Sequence, residues 1–134
     1  MKIGITGSLS SGKSSVAKIL SKNKNLLFSA DKIVRDLYSN NKYKKNLKKK
    51  FRIKRKNIKD EIKKKLLNKE ISLKELSKII HPFVRKKMKE FHKKNKNKKI
   101  IFFEIPLLVE SKLMKFFDFI ILVVAPKKIR LKRY

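Results

Sequence analysis

The chain has 134 residues, 41% of them hydrophobic, enough for one domain with a single core, and its lack of cysteine excludes disulfides and thiolate metal sites. Lys and Arg total 40 against 10 Asp and Glu, a formal charge of +30 that would suit a polyanion partner. The cations are 34 Lys and only 6 Arg, beside nine Asn, which is the mix AT-rich coding produces and not the Arg-rich surface of a bidentate phosphate reader, so nonspecific, salt-sensitive attraction is expected and no specific nucleic-acid partner.

Lys2 to Thr6 reads as a short buried strand. Gly7-Ser-Leu-Ser-Ser-Gly-Lys-Ser14 follows, with the spacing G-x-x-x-x-G-K-[ST], and Ser14 to Leu20 reads as a helix. Strand, loop and helix together make a phosphate-binding loop. Only three glycines occur in the chain, and Gly7 and Gly12 fill the two positions the loop requires. Glycine lets backbone N–H groups approach an anion closely, and the helix N-terminus then faces it. Lys13 would reach the β- and γ-phosphates, and the Ser14 hydroxyl would ligate Mg²⁺. Gly7, Ser8, Leu9, Ser10, Ser11, Gly12, Lys13, Ser14 and Ser15 are therefore the candidate ATP-binding residues.

Leu26 to Ser29 reads as a second strand. Asp31 follows it and has two readings: a helix N-cap, or a carboxylate that accepts the proton of an attacking hydroxyl. Arg35, one turn later, either contacts an acceptor phosphate or pairs on the surface with Asp31 or Asp36. From about residue 32 to 98 the chain is Lys-rich and helical. Ile58, Ile62, Leu66, Leu73, Leu76, Ile79 and Ile80 recur at helical spacing. Lys44 to Lys56 reads as a solvated helix face or mobile segment. Ser72-Leu-Lys-Glu75 is a capping box, and Pro82 is expected to end one helix and start the next. His81 beside it is read as a helix-junction imidazole or as a general base.

Lys99 to Ile105 and Asp118 to Val124 read as the third and fourth strands. Glu104 closes an apolar strand, which beside a phosphate-binding loop is where a Mg²⁺-holding acid belongs. Arg130 and Arg133 follow Pro126 and could clamp a triphosphate. The apolar run 116–125 is too short to span a bilayer and contains Asp118, and the N-terminus has no signal-peptide core. A cytoplasmic protein with no membrane partner is expected, with a monomer favoured. The fold class expected is α/β: a parallel sheet covered by helices on both faces, as one domain over residues 1–134 with a helical acceptor-binding insert at about 32–98.

The loop at 7–14, Ser-Ala-Asp31-Lys-Ile-Val-Arg35, His81-Pro82, Glu104-Ile-Pro-Leu-Leu-Val-Glu110 and Val-Val-Ala-Pro126 with Arg133 together resemble dephospho-coenzyme A kinases of the P-loop nucleotide kinase class. The resemblance spans the whole chain. It implies transfer of phosphate from ATP, with Mg²⁺, to the ribose 3′-hydroxyl of dephospho-CoA, the last step of coenzyme A synthesis. It implies Asp31 as general base beside Lys13, and Asp31, Arg35, His81, Pro106 and Leu107 on the acceptor side. Arg133 joins the ATP site, and Ser14 and Glu104 the metal. Ser8 and Ser10 stand where the family usually has glycine, Ser29 where it has Asp, and Glu104 where Asp is common. Family members continue into a lid, a fifth strand and a closing helix, and this chain stops at Tyr134, where the lid should begin. The alternatives are another small nucleotide or nucleoside kinase, or an ATP-binding fragment with impaired catalysis.

Overall fold

The structure is a computed structural model that describes residues 1–22, 26–54, 56–106, 108–109 and 111–133. They pack as two compact units, residues 1–31 with 87–134, and residues 32–86.

The first unit is built on four parallel strands: β1 (Lys2–Gly7), β2 (Leu26–Ser29), β3 (Ile101–Glu104) and β4 (Phe119–Val123), in the order β2-β3-β1-β4. This is the parallel α/β sheet the short apolar runs predict. β3 is buried at every position, as a central parallel strand should be. Alternation along the strands sorts the core into two layers. Ile5 and Phe102 pack with Ala17 of α1 (Lys13–Ser21). The opposite side is aromatic: Phe28, Phe91, Phe116 and Phe117 surround Phe103, with ring centroids 5.5–6.2 Å from it. Phe103 is fully buried, a burial that stabilises by roughly 1.5–3 kcal/mol. β4 pairs with β1 on one side and lies at the end of the strand order. Phe119, Leu122 and Val124 are 62%, 64% and 76% exposed there. A short helix, α6 (Lys127–Lys132), follows Pro126.

Two crossovers leave the centre of the sheet in opposite directions. From β1 the chain passes through α1 to β2 on one side, and from β3 it passes to β4 on the other. Ligands in such sheets bind beyond the carboxyl ends of the strands where that reversal occurs, here between β1 and β3.

In the second unit, Leu37, Leu47, Phe51, Ile53, Ile58, Ile62, Leu76 and Phe83 form the core. All but Ile53, which lies between α3 and α4, come from α2 (Ala30–Leu37), α3 (Asn41–Phe51), α4 (Ile58–Leu67) and α5 (Leu73–Lys94). Asn40 caps α3 by accepting from Lys42 N–H and Tyr43 N–H at 3.1 and 3.3 Å. Ser72 and Glu75 close the predicted capping box, with Glu75 N–H donating to Ser72 Oγ at 3.2 Å and Ser72 N–H to Glu75 Oε2 at 2.8 Å.

Three local expectations are corrected. Pro82 neither ends nor starts a helix but lies inside the 22-residue α5. Its missing N–H frees the carbonyl of Lys78, and both residues are exposed, so water can satisfy that oxygen. Leu76, Phe83, Val84 and Met88 meanwhile stay buried and hold the helix through the break. Leu73 has the right spacing for the core but opens α5 and is 70% exposed. Residues 44–51 are helical and not a fully solvated face, because Leu47 and Phe51 anchor α3.

Candidate active site

The phosphate-binding loop begins at the last residue of β1. Gly7 has φ 153°, and a Cβ there would lie 2.2 Å from the carbonyl oxygen of Val123 and 2.9 Å from Ser11 Oγ. No side chain fits without moving backbone. Gly12 has φ 99° and ψ 14°, a left-handed conformation that lets the chain turn directly into α1. Ser10 also has positive φ, 58°, which for a residue with Cβ costs about 1–2 kcal/mol. Among the described residues no side chain caps α1, which leaves its first N–H groups available to an anion.

Lys13 is 9% exposed and folds back over the loop, its Nζ donating to Ser8 O at 2.9 Å. Ser14 Oγ donates to Glu104 Oε1 at 2.5 Å. The register explains that contact: Glu104 lies beside Ile5 of β1 on one side and Ser29 of β2 on the other, so its carboxylate sits under the start of α1. Glu104 is 4% exposed. Ser11 Oγ is buried with no hydrogen-bond partner among the described residues.

Beyond the strands lies a cleft of about 400 Å³, lined by Thr6, Gly7, Ser8, Leu9, Lys13, Asp31, Pro106, Val109 and Leu122. Asp31 enters it from the first turn of α2 and is exposed. The predicted acid, the loop lysine and Pro106 therefore share one cavity. Arg133 also comes to the loop: a Cβ on Gly12 would lie 3.5 Å from its Nη1. Arg130 Nε donates to Ala125 O at 3.1 Å. Arg35 lies exposed on α2 and His81 half-buried on α5, both within residues 32–86. Leu107 and Glu110 fall outside the described residues.

Thr6 was not among the expected residues. Its Oγ1 donates to Pro106 O at 3.0 Å and ties the end of β1 to the loop after β3. The available signal was a polar residue closing an apolar strand, the same signal that marks Glu104. Val109 and Leu122 line the cleft without any sequence signal beyond their apolar character.

Ser14 and Glu104 supply two hard oxygen donors side by side, which suits Mg²⁺, a cation usually held by one or two protein oxygens plus substrate phosphates and water. Among the described residues no group of three His, Asp or Glu forms a metal cage. Two donors of this kind fit a metal that arrives with nucleotide.

The profile of the family described as Dephospho-CoA kinase matches residues 1–134. The chain belongs to the dephospho-CoA kinase family. It is 37% identical over 142 residues to the dephospho-CoA kinase of Fusobacterium nucleatum, covering 99% of this chain and 71% of that one. To the enzyme of Rickettsia bellii it is 34% identical over 134 residues, covering 99% and 70%. Among solved structures, TT1252 from Thermus thermophilus superposes with a TM-score of 0.80 at 28% identity, covering 99% of this chain and 70% of that one. The chain thus spans about 70% of the length of these relatives. Membership makes it an ATP-dependent kinase, a phosphotransferase of the α/β P-loop class. Among the described residues no helix is long and apolar enough to cross a membrane.

Proposed function

We propose that this chain transfers the γ-phosphoryl group of ATP to the ribose 3′-hydroxyl of dephospho-CoA, giving CoA and ADP. The observation that carries the reading is the single cleft holding Lys13 and Asp31 at the carboxyl ends of β1 and β2. The backbone N–H groups of residues 8–14 and the start of α1 hold the phosphates. Lys13 exchanges the Ser8 carbonyl for phosphate oxygens and neutralises charge gathering on the β–γ bridging oxygen. Arg133, beside Gly12, adds a second cation to the same phosphates. Asp31 accepts the 3′-hydroxyl proton as that oxygen bonds to the γ-phosphorus and the bond to the bridging oxygen breaks. Ser14 and Glu104 would hold Mg²⁺, which when bound supplies positive charge against the phosphate oxygens. Arg35, His81, Pro106 and Leu107 are assigned to the acceptor. The work is positioning and charge stabilisation, with no covalent intermediate on the protein.

Mass spectrometry of protein, ATP and Mg²⁺ with dephospho-CoA, beside AMP, CMP and pantothenate, tests the reading. Coenzyme A formed only from its own precursor is the expected result. A phosphorylated product from a rival acceptor overturns the acceptor assignment, and ATP binding without any product overturns the catalytic one.

A further inference from the structure

Gly4 is the one glycine of the chain outside the phosphate-binding loop, and it lies in the middle of β1. Glycine weakens a strand there unless another part of the chain approaches closely. A Cβ on Gly4 would stand 2.6 Å from Leu108 Cδ1 and 3.1 Å from the ring of Phe117. Leu108 is fully buried, so its methyl has no solvent to retreat into. Thr6, two residues on, presents its side chain on the same face of the strand. It is 4% exposed, and its Oγ1 donates to Pro106 O at 3.0 Å. Pro106 has no N–H to offer β1, so its link to that strand runs through this carbonyl. Gly4 and Thr6 therefore hold the segment after β3 at two points, the Leu108 side chain and the Pro106 carbonyl.

That segment is the wall of the cleft. Pro106 and Val109 line the cavity that Lys13 and Asp31 share. Ile105 N–H donates to Ile5 O at 3.0 Å and anchors the near end of the wall. Leu108 O accepts from Leu113 N–H and from Ser111 Oγ, both at 3.2 Å, and closes the far end into a turn. We propose that Thr6 is a positioning residue for the acceptor, setting through Pro106 O the distance between the phosphate-binding loop and the wall of Pro106 and Val109. The role toward the acceptor rests on the function proposed above, whereas the clamp on the wall does not. Thr6 acts on this wall more than on the phosphates. Glu104 is held by strand pairing on both sides, and the loop is shaped by Gly7, Gly12 and the Lys13 contact with Ser8 O. A displaced wall matters because in-line transfer needs its reacting atoms about 3–3.5 Å apart.

Thr6→Val removes the hydroxyl and keeps a β-branched side chain suited to a strand. Thr6→Ala removes the same hydroxyl without setting a methyl against the Pro106 carbonyl, and Thr6→Ser keeps the hydroxyl. Val and Ala should raise KM for dephospho-CoA by about three- to tenfold, the range expected for one lost hydrogen bond, while KM for ATP holds. Ser should stay within about twofold of the parent. Hydrogen exchange followed by mass spectrometry should show residues 105–113 exchanging faster in the Val and Ala variants only, with residues 7–14 unchanged. Unchanged acceptor KM in both Val and Ala, an equal rise in KM for ATP, or a Ser variant as impaired as Val each overturns the positioning role. Unchanged exchange in residues 105–113 overturns the clamp. A parent protein that fails to phosphorylate dephospho-CoA refutes the proposed function, and the exchange result then still decides whether Thr6 holds the wall.

Discussion

The loop from Gly7 to Ser14 and the lysine-rich stretch from Lys44 to Lys56 are both short on apolar residues, yet they obey different rules. In the loop five of the eight positions have their own stereochemical demand: Gly7 has no room for a Cβ, Gly12 and Ser10 have positive φ, Lys13 is folded onto Ser8 O and Ser14 onto Glu104. In residues 44–54, Leu47, Phe51 and Ile53 face the core, and exposed or half-buried lysines fill most of the other positions. Identity matters in the first region at Gly7, Gly12, Lys13 and Ser14, and in the second chiefly at those spaced anchors.

The contrast is sharpest where catalysis and packing are attacked separately. Asp31→Asn should lower phosphoryl transfer by about 10²–10⁴-fold and Lys13→Ala by at least about 10²–10³-fold, with circular dichroism and melting temperature nearly unchanged. Unchanged turnover in Asp31→Asn would remove the assigned base. In the helical unit the order inverts. Leu47→Ala should cost about 2–5 kcal/mol in urea denaturation, whereas its exposed neighbour Lys45→Ala should stay within about 0.5 kcal/mol. Comparable losses from the two would erase the distinction between anchors and filler. A smaller effect is expected of Ser10→Gly, which relieves the left-handed backbone and should raise stability by up to about 1 kcal/mol, measured by the same denaturation.

The smallest effect lies away from both regions. Asp118 accepts from Lys2 N–H at 2.6 Å, and this bond, with the nearby Lys2 ammonium, holds its carboxyl below the usual 3.8. A depressed carboxylate stabilises the fold above its unfolded pKa, and that contribution is lost as pH falls through the folded value. Asp118→Asn should therefore flatten the acid limb of melting temperature against pH below about pH 4 and change little at pH 7. An unaltered acid limb would show that the bond contributes nothing.

The motif spacing made the loop, its strand and its helix legible, because a phosphate-binding loop needs fixed positions rather than an average composition. Asp31 and Glu104 were legible as carboxylates just past apolar runs. Their place beside the loop was expected from the strand ends, but the flanking of Glu104 by Ile5 and Ser29 was not legible, since it depends on the order β2-β3-β1-β4, which no residue encodes locally. Thr6 was passed over because its hydroxyl gains a role only when β3 delivers Pro106 beside it. Pro82 misled because a local rule was applied without the tertiary packing that overrides it. Arg130 and Arg133 are alike in sequence, and only the fold shows that Arg130 Nε bonds Ala125 O while Arg133 Nη1 lies near Gly12. Leu73 shows the limit of periodicity at a helix end, where the first turn can point out of the core.

The apolar rim of β4 has a colloidal consequence. Phe119, Leu122 and Val124 present contact surface to any neighbouring molecule, and a formal charge of +30 keeps such neighbours at a distance. That repulsion reaches about 10 Å at 0.1 M salt and about 3 Å at 1 M, while contact between apolar rims is not screened. Added salt should therefore drive copies together, and light scattering should rise steadily with ionic strength where a neutral-surfaced protein would be indifferent. That repulsion comes from the exposed lysines, a set that does not include the buried Lys13 of the ATP loop.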